Sequence, residues 1–205
     1  MTEVSSKAGR NPAPLAAARA WLRRAGVLAQ LLSLAILVAV FAIGTKGKYL
    51  SWANQYKENQ ITIVYDTMWN GTRVMAEHIA KGLHSADAAL NVKLFNAAQR
   101  DKNDIIAEIF KSKALVLGSP TINKGILTSI AALLEEIRGL GFKGKKAAVF
   151  GAYGWSGESV GVLKDSLARA GFHVVDDGLK ALWNPDDEAR GRCFEYGRKL
   201  AAELG

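Results

Sequence analysis

From Ile61 onward, short runs of β-branched and apolar residues alternate with longer stretches in which apolar positions recur every three or four residues. The short runs predict strands at Ile61–Asp66, Val92–Phe95, Ala114–Gly118, Ala147–Gly151 and His173–Val175. Such runs suit strands covered on both faces. The longer stretches predict helices at Thr72–Leu83, Lys102–Lys111, Gly125–Gly139, Ser159–Ala170 and Asp186–Glu203. Start and stop signals agree: Asp101 before the second helix, Ser156 or Ser159 before the fourth, Gly171 after it, and Pro185-Asp186-Asp187 opening the fifth. Strands separated by helices predict an open α/β sheet of five parallel strands, wound with helices on both faces.

The first 60 residues follow another pattern. Met1–Pro14 is polar, with two prolines, and residues 1–24 as a whole read as a basic, disordered N-terminus. Ala25–Gly44 is a run of 20 residues without a charge. As a helix it would reach about 30 Å, the thickness of a bilayer core. A membrane-spanning helix is the first reading. A secretory signal segment is the second, because its charged lead and apolar centre look the same, although no small-x-small cleavage site follows. A buried helix comes third. Lys7, Arg10, Arg19, Arg23 and Arg24 before the run outnumber Lys46, Lys48 and Lys57 after it, which favours the N-terminus inside and the remaining domain outside. The expectation is a membrane-associated single-pass chain, or a cytoplasmic one if the run is not an anchor. In residues 45–60, Tyr49, Trp52 and Tyr56 lie at helical spacing, which predicts a short linker helix before a globular domain at 61–205.

Charge separates the same two regions. Residues 1–60 hold 8 Lys/Arg and 2 Asp/Glu, whereas residues 61–205 hold 19 and 17. The net charge of +8 therefore belongs mostly to the N-terminal segment, and the near-neutral domain gives no case for nucleic-acid binding. Cys193 is the only cysteine, which excludes a disulfide framework or a Cys-x-x-Cys metal site, and His78, His84 and His173 are too few and too scattered for a histidine-rich dimetal centre.

In open parallel sheets ligands sit beyond the carboxyl ends of the strands, so three loops become neighbours. The first is Thr67-Met68-Trp69-Asn70-Gly71-Thr72, between a strand and a helix start. Its amides and the helix dipole make an anion site, its two threonines add hydroxyl donors, and Gly71 permits close approach. It has neither the Lys of a Walker loop nor the three glycines of a dinucleotide fingerprint, so it fits a monoester phosphate held by neutral donors. The second loop is Ser119-Pro120-Thr121-Ile122-Asn123-Lys124-Gly125. The third, Gly151-Ala152-Tyr153-Gly154-Trp155-Ser156-Gly157, combines mobile backbone with two aromatics. Together with Trp69 these could wall a flat ring system.

Four stretches, YDTMWNGTRVMAEHIAKG, KLFNAAQRDKNDIIAEIFKSKALVLGSPTINKGIL, AALLEEI and KKAAVFGAYGWSGESV, resemble the flavodoxin-like domain of flavodiiron proteins, of the anaerobic nitric oxide reductase flavorubredoxin type. The resemblance runs from about Tyr49 to Gly205, and KYLSWANQYKEN is similar to that family's interdomain link. It implies a doubly wound flavodoxin-like sheet of order 2-1-3-4-5 that binds FMN. On that resemblance, Thr67, Met68, Trp69, Asn70, Gly71 and Thr72 hold the phosphate. Ser119, Pro120, Thr121, Ile122 and Asn123 line the ribityl chain and ring. Gly151, Ala152, Tyr153, Gly154, Trp155, Ser156 and Gly157 form the loop that flanks and hydrogen-bonds the isoalloxazine. The family's diiron domain and the rubredoxin module of some members have no counterpart here: the segment before residue 61 contains no histidine. The resemblance thus carries FMN binding and electron transfer between a donor reductase and an acceptor protein, and not the reduction of nitric oxide or oxygen at a diiron site. Two alternatives stand beside an electron carrier. One is an FMN-dependent NAD(P)H:quinone reductase, for which no nicotinamide fingerprint is present. The other is the remnant of a truncated flavodiiron protein.

Overall fold

The computed structural model describes residues 58–204. The expected disordered segment 1–24, the hydrophobic span 25–44 and residues 45–57 of the linker lie outside the described residues. Among the described residues no helix is long and apolar enough to cross a membrane.

Strands β1 (Glu58–Tyr65), β2 (Asn91–Asn96), β3 (Ser112–Gly118), β4 (Lys146–Tyr153), β5 (His173–Val174) and β6 (Leu179–Leu182) form one sheet. The order is β2-β1-β3-β4-β5, with β6 also on β4, and every pairing within it is parallel. The helices are α1 (Gly71–Ala86), α2 (Lys102–Lys111), α3 (Thr128–Leu140), α4 (Ser159–Arg169) and α5 (Asp187–Glu203). The order 2-1-3-4-5 is the one the resemblance implies.

Three of the differences from expectation have a visible cause. Strand β1 starts at Glu58, so residues 58–60 belong to the sheet and not to a linker helix. Gln60 explains the extension: its amide donates to the Glu108 carboxylate and the Ser112 hydroxyl, each at 3.0 Å. Helix α3 starts at Thr128 and not at Gly125, because 122–125 is taken up by a tight turn. The expected single fifth strand is two. Ala147 pairs with Val174 and Phe150 with Leu179, so three steps along β4 match five along the edge. The extra residues bulge out at 176–178, where Gly178 takes a φ of 81°.

The alternation of a pleated strand divides two cores. Ile61, Ile63, Val116, Ala148 and Phe150 face α1 and α5, meeting Met75, Ile79, Leu83 and Leu200. Val64, Leu115, Leu117 and Val149 face α2, α3 and α4, meeting Ile105, Ile130, Leu163 and Leu167. All of these are buried, which is why the strands read as continuous apolar runs. On the second face the ammonium of Lys145 is buried, donating to the carbonyls of Ile109 (2.7 Å), Phe110 (2.9 Å) and Ser112 at the end of α2. Lys145 thereby satisfies carbonyls that the helix leaves open.

Helices α1 and α5 touch backbone to backbone. A Cβ on Gly82 would lie 2.0 Å from the Phe194 carbonyl oxygen, and one on Gly197 2.2 Å from that of Ile79. Gly82→Ala and Gly197→Ala should therefore each destabilise the domain by roughly 1–3 kcal/mol, the range for overpacking. Gly191→Ala on the same α5, where nothing lies within 4 Å, should stabilise it by about 0.5–1 kcal/mol. Urea denaturation of the three variants checks both signs. In the same interface Cys193 is 1% exposed, and burial pushes its thiol up to about 11. A disulfide-exchange reagent at pH 8 should leave it unlabelled until denaturant is added, since little thiolate is present below that value. Rapid labelling of the native chain would contradict this packing.

Candidate functional site

Parallel strands deliver their connecting loops to one edge, and here four loops meet there. Residues of β1–α1, β3–α3, β4–α4 and β6–α5 line a cavity of about 440 Å³.

The first loop turns into α1 through Asn70, whose φ of 64° is left-handed and suits asparagine. No side chain caps α1 and no acid occupies its first turn, so the positive end of its dipole is not offset locally. The hydroxyls of Thr67 and Thr72 are buried without a hydrogen-bond partner; among the described residues one Glu203 oxygen is the other such side-chain atom. Both threonines line the cavity. Asp66 is tied away from it, accepting from Thr67 N at 2.7 Å and from the Ser129 hydroxyl. Gly71 lines the cavity. A Cβ there would lie 2.8 Å from the Trp183 carbonyl oxygen, so its bare side admits the fourth loop.

In the second loop Ser119 is buried, accepting from Leu127 N and donating to Pro120 O, both at 3.0 Å. Ile122 and Gly125 close a tight turn on Asn123 and Lys124, at φ 48° and 58°. Pro120 and Thr121 line the cavity, while Ser119, Ile122 and Asn123 do not. Thr121 joins the second loop to the third. Its hydroxyl accepts from Ser159 N at 3.2 Å and donates to Ser159 Oγ at 3.0 Å, and its own N–H donates to Ala152 O at 2.9 Å. Thr121 thus serves the start of α4, in place of the Ser156 or Ser159 cap expected from sequence.

From the third loop, Ala152, Tyr153, Gly154 and Trp155 reach the cavity. Trp155 is 88% exposed. Gly151 lies below, where a Cβ would sit 2.3 Å from Ser119 O, so it keeps β4 close to the second loop. Ser156 donates to the Glu158 carboxylate at 2.7 Å, a bond that holds this carboxyl below its usual range. Gly157 takes a φ of 73° against the Tyr153 ring. Asn70, Ser119, Ile122, Asn123, Gly151, Ser156 and Gly157 therefore shape the loops without lining the cavity.

The fourth loop, with Trp183 and Asn184 on the cavity wall, was not foreseen. Its signal was present in outline: Leu179–Leu182, an aromatic, then the Pro185-Asp186 helix start, repeating the strand–loop–helix order of the first loop.

The cavity thus joins two kinds of surface: two unpartnered hydroxyls beside an uncapped helix start, and the aromatic residues Trp69, Tyr153, Trp155 and Trp183. The first suits a phosphate and the second a flat ring. Comparison with known proteins agrees. The flavodoxin family model matches residues 63–197. The chain belongs to the flavodoxin family. FMN is the cofactor of flavodoxins and of their flavodiiron relatives, and the residues present fit it. The anaerobic nitric oxide reductase flavorubredoxin of Vibrio vulnificus is 48% identical over 154 residues, covering 75% of this chain and 31% of that relative. The flavodoxin domain also superposes on rubredoxin oxygen:oxidoreductase from Desulfovibrio gigas, with a TM-score of 0.70 at 33% identity, over 77% of this chain and 39% of that one. An archaeal flavodoxin matches with a TM-score of 0.64 at 26% identity, over 71% of this chain and 98% of its own. The chain therefore spans about a third of the flavorubredoxin it matches and nearly all of a free-standing flavodoxin.

The bond pair at Thr121 generates a test within this flavodoxin domain. Thr121→Val leaves the buried Ser159 N–H without that acceptor and should lower unfolding free energy by about 1–3 kcal/mol. Thr121→Ser should restore most of it in thermal or urea melts.

Proposed function

We propose that this domain holds FMN in the four-loop cavity and passes electrons between a donor reductase and an acceptor protein. The observation that carries the reading is the pair of buried, unpartnered threonine hydroxyls at the start of α1, across a cavity walled by indoles. FMN, when bound, supplies the redox chemistry at its isoalloxazine ring. The protein's part is binding and tuning. Thr67, Thr72 and the first amides of α1 would hold the phosphate through neutral donors. Met68, Trp69 and Asn70 shape that loop around it. Pro120 and Thr121, supported by Ser119, Ile122 and Asn123, would lie along the ribityl chain. Tyr153, Gly154 and Trp155, on a loop shaped by Gly151, Ala152, Ser156 and Gly157, would bound the ring and limit its access to water. No side chain is required as nucleophile or general acid.

The relatives named flavorubredoxin and rubredoxin oxygen:oxidoreductase support an electron acceptor of the nitric oxide- or oxygen-reducing kind, reached through a separate protein or domain. A stand-alone NAD(P)H:quinone reductase is not favoured by any feature of the cavity. The uncharged run 25–44 supports attachment of this carrier to a membrane; a flavin spectrum of the membrane and supernatant fractions tests that part separately.

Titration of the purified chain with FMN tests the core of the reading. Wild type should retain yellow flavin after the free FMN is removed, and a chain left colourless by that step would refute the reading. Thr67→Val and Thr72→Val should each weaken FMN by roughly 1–3 kcal/mol, or about five- to 150-fold. They should not destabilise the flavin-free chain, because neither hydroxyl has a protein partner to lose. Trp155→Ala should weaken binding and shift the flavin midpoint potentials while leaving the fold intact.

A further inference from the structure

The geometry points to Trp183, in the loop between β6 and α5, as the residue that positions the Trp155 indole at the ring end of the cavity; we infer that it thereby sets how tightly an isoalloxazine is held and at what potential. This rests on the FMN reading of the cavity. Four observations converge on it.

The backbone of Trp183 is left-handed, with φ 52°, a region that bulky side chains avoid and that persists where the surroundings over-determine it. Those surroundings are the other loops. Its N–H donates to Tyr153 O at 2.7 Å, and its carbonyl oxygen lies where a Cβ on Gly71 would come within 2.8 Å. A Cβ on Gly154 would lie 3.0 Å from its indole. Two positions without side chains, on two different loops, thus face this one residue.

The indole so placed is not core. Trp183 is 60% exposed and Trp155 88% exposed, yet their ring centroids are 5.5 Å apart at an interplanar angle of 63°. Edge-on pairing of this kind adds attraction beyond buried area. It fixes Trp155 relative to the first, third and fourth loops while both rings stay on the cavity wall. A purely structural tryptophan would be expected in one of the two cores, and neither contains Trp183.

The test uses the full chain and five variants: Trp183→Ala, Trp183→Gly, Trp183→Phe, Trp155→Ala, and Trp155→Ala combined with Trp183→Ala. Glycine accepts the left-handed backbone without strain, so a loss of FMN affinity in Trp183→Gly reports the indole and not a folding defect. Trp183→Ala and Trp183→Gly should weaken FMN about two- to tenfold, alter the visible circular dichroism of the bound flavin and shift its midpoint potentials. Trp183→Phe should restore most of the affinity. In the double variant the second substitution should cost less than it does alone, because Trp183 acts through Trp155. Wild-type affinity and spectrum in Trp183→Ala and Trp183→Gly, or strictly additive losses in the double variant, would overturn the assignment. A wild type that binds no FMN would instead overturn the functional reading beneath it, so the two failures are distinguishable.

Discussion

Burying the hydroxyls of Thr67 and Thr72 without a partner costs the folded chain about 1–3 kcal/mol for each unmade bond, and much of the surrounding structure serves to keep them there. The left-handed turn at Asn70 carries the chain from β1 into α1 with no side chain capping the helix. Asp66, the nearby acid, is engaged by Thr67 N and Ser129. Donors collected in this way and left unanswered by the protein make sense as a seat for an anion from outside it. The positive end of α1 adds to that preference.

A seat of this kind requires loops that do not move relative to one another. Parallel pairing places them at one edge, and three short-range devices then hold them together. Thr121 ties the second loop to the start of α4. Gly151 allows β4 to run directly beneath Ser119. Trp183 bonds to Tyr153 and leans on Gly71 and Gly154. The two cores beneath contribute stiffness: residues of β1, β3 and β4 are packed from both faces, so the strand ends that carry the loops have little freedom to shift. On the proposed reading, tuning of a bound ring is then left to side chains at the rim, where Trp69 and Trp155 are largely exposed.

Much of this was legible beforehand. Both-face burial of β1, β3 and β4 shows as unbroken apolar runs, and the caps at Asp101 and Asp186 behave as their sequence positions imply. The resemblance carried the strand order. Less legible was the division of labour among the site residues. Ser119, Ile122, Asn123 and Ser156 read as ligand groups in a polar loop, and the structure gives each a role within the protein as well: Ser119 satisfies Leu127 N, Ser156 donates to Glu158, and Ile122 and Asn123 build a tight turn. A polar side chain near a site is read as a donor to the ligand until its competing partner in the protein is known. The fourth loop was missed because residues 176–178 break the fifth strand, and a strand of four residues gives too short a pattern to register.

Local order therefore belongs to the sequence alone: where strands and helices fall, which loop carries hydroxyls and which carries indoles, and the membership of the flavodoxin family that those motifs express. These depend on neighbours a few positions apart, whose periodicity and turn chemistry the chain displays directly. The tertiary structure decided the remainder: that Gly71 accommodates Trp183, that Thr121 serves α4, that Thr67 and Thr72 have no partner, and that the fifth strand is split with its exit loop on the cavity. Each of those depends on groups that meet only after β1, β3, β4 and β6 have paired in register. Register is set by the fit of whole faces, which no single segment specifies.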